Sequence, residues 1–239
     1  MKLKPNLLLR IFFLFFVWIF IIPENSYPSY FFYEIYFGPF KVGESHIRIF
    51  KNSNILSAKV YTTGLGNRIY PYYATWETNI DKNGYPIQTT IYSKERSKER
   101  KKVLHFDPKN SVVREEKILP EKENKTIKVS FPLHDELSGF IHIWDWSKLP
   151  QKSSIPLYIK KERNFATVEI QSKEPCKFMN KEITCQRIKV TLPEKSELLK
   201  RSKEVIIYMH PEQKFPIIIK GRLPLFGSLK AVLKHFSLD

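Results

Sequence analysis

The sequence predicts a mainly β protein: a curved antiparallel sheet or half-barrel with one main helix, about Asp135–Trp146, packed on it. Three observations support this prediction. Aromatic residues make up 14% of the 239-residue chain, and Tyr, Phe, Ile and Val recur in the short alternating runs typical of half-buried strands. Tight-turn residues separate these runs. One segment in the middle of the chain has the apolar spacing of an amphipathic helix.

The strands before the helix are predicted from alternation and from the turns between them. The first is the aromatic run Tyr30–Phe37, which Gly38-Pro39 ends. Asp81-Lys82-Asn83-Gly84 and Asp107-Pro108-Lys109-Asn110 are tight-turn signals. The other predicted strands of this half are Lys41–Lys51, Ile55–Gly64, Trp76–Asp81, the long Ile87–Phe106 and its hairpin partner Ser111–Leu119; Lys125–Val129 is a short strand or a loop.

The helix is predicted from its cap and its apolar stripe. Asp135 is a favourable N-cap residue, and Pro150 ends the segment. Apolar residues recur at i, i+3, i+4 and i+7 on one face, and these are Leu137, Phe140, Ile141 and Trp144. Short helices are alternatives at Leu65–Tyr72 and Glu194–Ser202. The strands predicted after the helix are Ile155–Lys160, Phe165–Phe178, Ile183–Leu192, Glu204–Met209, Phe215–Gly221 and Leu225–Phe236.

The first 22 residues have the order of an export signal, basic then apolar then polar. The apolar run Ile11–Ile22 has twelve residues, which fits a signal-peptide core of about 7–15 and falls short of the about 20 that span a membrane. No A-x-A cleavage pattern follows it. Residues 1–26 are therefore predicted to be a signal peptide or an uncleaved N-terminal membrane anchor, and residues 27–239 a single β-rich periplasmic domain.

The chain is strongly basic, with 40 Lys and Arg against 24 Asp and Glu and a net charge of +16. Such a charge favours anionic partners. Outside the cytoplasm nucleic acid is not an expected partner, so anionic lipid headgroups or envelope polymers are the better candidates. The alternative is that the lysines lie on solvent-exposed strand faces and bind no partner.

One basic segment stands out, Ser93–Lys102 (SKERSKERKK). If it is one strand, every second side chain shares a face. A face that lines a groove could bind an anionic headgroup, whereas a face toward water would only protect the sheet from aggregation. The five residues predicted to share this face are Lys94, Arg96, Lys98, Arg100 and Lys102.

The two cysteines, Cys176 and Cys185, lie in a predicted hairpin. A two-residue turn at Asn180-Lys181 would place them directly opposite each other as a non-hydrogen-bonded pair, with Cα atoms about 4.5 Å apart. That distance is within disulfide range, and an oxidising compartment favours the bond. The alternatives are two unpaired buried thiols, or a redox or metal function.

No motif indicates catalysis. The chain has no His-Glu-x-x-His, no Gly-x-Ser-x-Gly and no phosphate-binding glycine loop. We therefore predict no catalytic residue, no metal ligand and no cofactor. The densest polar group is a candidate acid–base or metal site, although capping of the helix by Asp135 is the simpler explanation; its members are His134, Asp135, Glu136 and His142.

Four segments occur in an order that matches a known family: YEIYFGPFKVGES at 33–45, Gly64-Leu65 with Ile69-Tyr70-Pro71, the strand 92–101 with Phe106-Asp107, and Asp135-Glu136-Leu137-Ser138. Together, over about residues 30–236, they resemble the domain of unknown function 3108 family of exported bacterial proteins. That family has Asp-Pro-x-Ser at the helix start, where this chain has Glu136 in place of Pro. The resemblance implies a periplasmic, β-rich domain and supplies no established activity or catalytic residue.

Three functions follow as hypotheses. The first is a non-catalytic envelope protein, periplasmic and either soluble or tethered to the inner membrane, that binds a lipid or other hydrophobic ligand in the curved sheet. The second is an interaction module that binds an anionic envelope polymer or a membrane surface through the basic strand. The third is a hydrolase with a site around Asp135, Glu136 and His142. An uncleaved N-terminal segment would add membrane association to any of them.

Overall fold

The computed structural model describes residues 29–193, 204–223 and 227–238. They form one antiparallel sheet of fourteen strands with few helices, as the sequence predicts. The strands are β1 Ser29–Phe37, β2 Phe40–Phe50, β3 Ile55–Thr62, β4 Tyr72–Ile80, β5 Pro86–Glu95, β6 Lys98–Asp107, β7 Val112–Leu119, β8 Glu123–Lys128, β9 Lys152–Ile159, β10 Glu162–Phe178, β11 Lys181–Thr191, β12 Glu204–Met209, β13 Pro216–Leu223 and β14 Gly227–Ser237.

Short connections explain the order of the strands. From one edge, the order runs β8 to β1 and then β14 to β9, so nearly every strand pairs with its neighbour in the sequence. The exception is the β1–β14 pair, which joins the two halves of the chain. The edge strands are β8 and β9, and the sheet remains open between them.

The helices are α1 Gly64–Ile69 and α2 Glu136–His142, and α2 continues as a 3-10 helix, η1, over Ile143–Lys148. The segment of α2 and η1 confirms the predicted main helix. The helix axis changes direction at Asp145, whose backbone angles (φ −87°, ψ 40°) are not helical. The short α1 falls within the predicted Leu65–Tyr72 helix, whereas Glu194–Ser202 and the start of the Leu225–Phe236 strand lie outside the described residues.

The main helix packs on the inner face of the curved sheet. The Trp144 ring meets Phe31 of β1 edge to face, with ring centroids 4.8 Å apart. Gly139 of α2 faces β9, where a Cβ would lie 2.5 Å from the Leu157 side chain. The largest apolar cluster therefore includes η1 and the inner side chains of both halves of the sheet, among them Phe31, Ile47, Ile155, Ile188, Ile207 and Leu233.

The prediction of one long strand over Ile87–Phe106 is wrong. The chain turns at Arg96-Ser97, and β5 and β6 pair as a hairpin in which Glu95 lies opposite Lys98. Arg96 takes a positive φ of 55°, a conformation that long side chains adopt infrequently. The segment has neither Gly nor Pro to mark the turn, and its regular alternation of charge is that of a continuous strand.

Gly66 fixes α1 to β2. A Cβ at this position would overlap the backbone carbonyl of Val42, so only glycine allows the helix to lie this close.

We predict that Gly66→Ala lowers the free energy of unfolding by about 1–3 kcal/mol, because the helix must shift off the strand. Urea denaturation measures the change. Leu65→Ala, at an exposed neighbouring position, is the control and should change stability far less; equal losses would contradict this close packing.

Candidate functional site

A groove of about 430 Å³ opens where α2 and the segment after η1 meet the start of β9. Most of its wall is apolar, and its polar side chains are one tyrosine, two histidines, one lysine and two serines. The lining residues are Tyr85, Pro132, His134, His142, Leu149, Pro150, Lys152, Ser153, Ser154, Ile155 and Pro156. The volume is within the range of small-molecule sites.

His134 is the most buried polar side chain of this groove, with 2% of its surface exposed. Its backbone N–H donates to the Pro156 carbonyl (2.9 Å), and its own carbonyl accepts from the Tyr158 N–H (2.7 Å). Its ring lies 4.7 Å from the Tyr85 ring and 5.0 Å from that of His142, centroid to centroid. Backbone bonds and ring contacts therefore hold the imidazole in place.

Both histidines favour the neutral form. The pKa of His134 is lowered to about 4, mainly by burial and also by the nearby His142, while Asp81 opposes the shift. Burial also lowers the pKa of His142, against the effect of Asp145. At neutral pH the groove thus presents two uncharged imidazoles, each with one donor and one acceptor nitrogen.

The residues of the hydrolase hypothesis do not assemble into one site. Asp135 is 2% exposed; it caps α2 by accepting from the Ser138 N–H (3.0 Å) and also accepts from the Thr78 hydroxyl (2.9 Å). Neither Asp135 nor Glu136 lines the groove, whereas His142 does. The structure brings the ring of His142 next to that of His134. The sequence indicates only that the two histidines lie in the same short segment.

A serine lies beside His134, but the geometry does not favour an activated nucleophile. The Ser138 Oγ is 3.2 Å from Nδ1 of His134, and Ser138 is 2% exposed. Within the described residues, no carboxylate forms a hydrogen bond with the His134 ring, so the third, orienting group of a triad is missing. The same part of the chain contains no group of three or more side chains able to hold a metal ion.

The predicted basic face is divided by the β5–β6 hairpin. Lys94 lies on the outer face of β5, opposite Glu99 of β6. The Lys94 Nζ forms an ion pair with Oε1 of Glu99 at 2.6 Å. Arg96 sits in the turn. The other three, Lys98, Arg100 and Lys102, share the inner face of β6. The prediction of five positive charges in one row is therefore wrong, because a chain reversal moves Lys94 to the opposite face.

The structure joins Cys176 and Cys185 by a disulfide, with Cα atoms 5.9 Å apart. The predicted register is wrong: Cys176 lies opposite Ile183, and Cys185 lies opposite Glu174. The cysteines are therefore diagonal neighbours on one face of the hairpin.

This register follows from the turn. The two turn residues are Met179 and Asn180, with φ of 46° and 64°, rather than Asn180 and Lys181. A two-residue hairpin turn of this kind requires positive φ at both positions. Asn180 suits its second position.

The outer face carries a polar network that sequence reasoning missed. The Tyr30 hydroxyl lies 2.7 Å from Nδ1 of His46, and Nε2 of His46 lies 3.1 Å from the Tyr61 hydroxyl. The Tyr61 hydroxyl donates to Glu44 at 2.5 Å, which raises the pKa of Tyr61 to about 12. The network links β1, β2 and β3. Alternation along each strand, together with the pairing register of β1 with β2 and of β2 with β3, places its members on one face.

The comparisons with known proteins concern family and fold. The family described as "Protein of unknown function (DUF3108)" matches residues 33–234. The chain belongs to this family. No curated protein matches it. DUF3108 membership confirms the resemblance predicted from the four ordered segments and, like them, specifies no activity.

Solved structures resemble this DUF3108 chain in fold. A β-barrel-like protein of domain of unknown function DUF1849 from Brucella abortus superposes with a TM-score of 0.57 at 8% identity, covering 89% of this chain and 98% of that one. A DUF1089 family protein from Pseudomonas aeruginosa gives 0.43 at 11% identity, covering 78% and 91%. A DUF1329 family protein from Desulfovibrio piger gives 0.27 at 10% identity, covering 90% and 87%. The first supports a shared β architecture.

None of the helices within the described ranges has the length and apolar character needed to cross a membrane.

The lowered pKa of His134 predicts that the protein loses stability in mild acid. The unfolded chain protonates this histidine near 6.5, whereas the folded chain does so near 4, so between these values the unfolded state binds more protons and stability falls as pH falls. Between about pH 7 and about pH 5 this one group should remove about 2 kcal/mol. Urea unfolding at both pH values measures it.

Two variants isolate the effect of His134. His134→Gln should flatten the pH dependence by about that amount. His105→Gln, at an exposed position on β6, should leave it unchanged. An unaltered pH dependence in His134→Gln would contradict the assignment.

Proposed function

We propose that the protein is a non-catalytic protein of the cell envelope that binds one lipid or other hydrophobic molecule in the His134 groove. The observation that carries the proposal is the groove itself: about 430 Å³ of space bordered by the helix that packs on the inner face of the sheet. A mostly apolar wall with a few fixed polar groups is the usual composition of a small-molecule site.

The polar groups fit an amphiphilic ligand. Two imidazoles with lowered pKa values add no charge at neutral pH, so they can contact an ester, hydroxyl or carboxyl group without a buried ionic cost. Lys152 lines the same groove and is well exposed, with its Nζ 3.7 Å from Glu169. We expect the apolar part of the ligand to contact Leu149, Pro150 and Ile155, with its polar end toward Lys152.

The cell-envelope location rests on the sequence. The basic, apolar and polar order of residues 1–26 is that of an export signal or an anchor. The Cys176–Cys185 disulfide is consistent with an oxidising compartment. Both observations support a periplasmic protein, soluble or tethered to the inner membrane.

The proposal predicts saturable binding that a substitution in the groove abolishes. The full chain is titrated with a fluorescent long-chain fatty acid, and lipids retained after purification are identified by native mass spectrometry. Ser153→Phe places a ring inside the groove and should weaken binding at least about tenfold, because the ligand and the ring compete for the same volume.

The matched control is Ser53→Phe, the same substitution at an exposed turn position between β2 and β3, which should bind as the unmodified chain does. The proposal is wrong if the unmodified chain binds neither the fatty acid nor any retained lipid. It is equally wrong if both phenylalanine variants bind the probe with the same affinity.

A further inference from the structure

Three connections lie together at the end of the sheet away from the His134 groove. They are the β1–β2 turn at Gly38-Pro39, the α1 segment between β3 and β4, and the β5–β6 turn at Arg96-Ser97. In an antiparallel meander every second connection falls at the same end. The groove lies toward the opposite end, where the β4–β5 turn brings Tyr85 to its wall.

Backbone contacts join these connections into one surface. Gly66 of α1 packs against Val42 of β2, and the Thr63 N–H donates to the Val42 carbonyl (2.9 Å). On the other side of α1, the Arg96 N–H donates to the Pro71 carbonyl (2.9 Å). These bonds hold the helix between the two hairpins.

This surface, which we call the α1 rim, exposes large apolar side chains. Ile69 is 75% exposed and Phe40 is 56% exposed. Single exposed apolar residues are normal on a protein surface, whereas several on adjacent connections form a patch of the kind that contacts a partner. The apolar members of the rim are Phe37, Phe40, Leu65 and Ile69.

Basic side chains accompany the apolar ones. Arg68 belongs to α1 itself, and the Arg96 guanidinium lies 5.4 Å from the Tyr70 ring centroid. Lys98 and Arg100 begin β6. In the part of the chain that the structure describes, Arg68, Lys98 and Arg100 form no ion pair with a carboxylate, so their charges remain available to a partner.

We propose that the α1 rim docks on the surface of a bilayer that contains anionic phospholipids. Apolar side chains gain free energy by leaving water for the interfacial region, and lysine and arginine near an anionic surface add attraction for each charge. A hydrated acidic polymer would engage the basic residues alone and would leave Ile69 and Phe40 in water. The combination of both side-chain types therefore favours a bilayer, and the docking site is separate from the His134 groove.

The test is flotation of the domain with phospholipid vesicles. Every contact described above lies within residues 29–238, so a chain that begins at Tyr27 keeps the whole described sheet and its core without the N-terminal apolar segment. The vesicles are pure phosphatidylcholine, or phosphatidylcholine with about one third phosphatidylglycerol. Binding is expected only to the anionic vesicles and should weaken as salt is added.

Two variants separate the charge from the apolar contribution. Arg68→Glu/Lys98→Glu/Arg100→Glu should weaken binding on the order of 100-fold, since three attractive charges become repulsive. Phe40→Ser/Ile69→Ser should weaken it on the order of tenfold. The charge-matched control is Lys82→Glu/Lys109→Glu/Lys128→Glu, at exposed positions toward the opposite end of the sheet, and it should keep most of the binding. Thermal unfolding verifies that all variants remain folded.

Three results would overturn the proposal. The unmodified domain could fail to bind anionic vesicles. The two triple variants could lose binding equally, which would mean that total charge rather than the rim decides. Phe40→Ser/Ile69→Ser could bind as the unmodified domain does while a soluble polyanion competes fully with the vesicles; an acidic polymer would then be the partner. None of these results bears on fatty-acid binding in the groove.

Discussion

One buried carboxylate holds the helix in the sheet. Asp135 accepts a hydrogen bond from the Thr78 hydroxyl of β4 and another from the Ser138 N–H at the start of α2. A carboxylate this buried is tolerated only when its oxygens are satisfied. This arrangement fixes the point where α2 begins, and the position of α2 in turn sets where Trp144 packs and where His134 and His142 meet.

The position of the helix divides the molecule into regions with different properties. Where α2 and η1 cover the inner face, apolar side chains of both halves of the sheet form a packed core. At one end the covering is incomplete, and the His134 groove lies there. At the other end the connections carry exposed apolar and basic side chains. The two proposed sites, the ligand groove and the bilayer-docking surface, therefore lie at opposite ends of the sheet.

The sequence predicts much of this fold, because the deciding signals are local. Strand alternation, the Asp135 cap and the apolar stripe of the helix depend on neighbouring residues. Two turns are predicted wrongly because they use residues without a turn signal: Arg96, where no turn is predicted, and Met179, where the turn is predicted one residue later. Both residues have a positive φ. The groove could not be predicted, since its wall combines the β4–β5 turn with segments far along the chain. The sequence places His134 and His142 in one short segment, but it does not show that their rings meet.

A double-mutant cycle between Thr78 and Asp135, measured as the free energy of unfolding in urea, tests most directly whether this carboxylate couples the helix to the sheet. Thr78→Val and Asp135→Ala each remove one partner of the bond between β4 and the helix start. We expect a coupling energy of about 1 kcal/mol or more, because each substitution should cost less once the other partner is gone. Strictly additive losses would contradict the claim that this carboxylate couples the helix to the sheet.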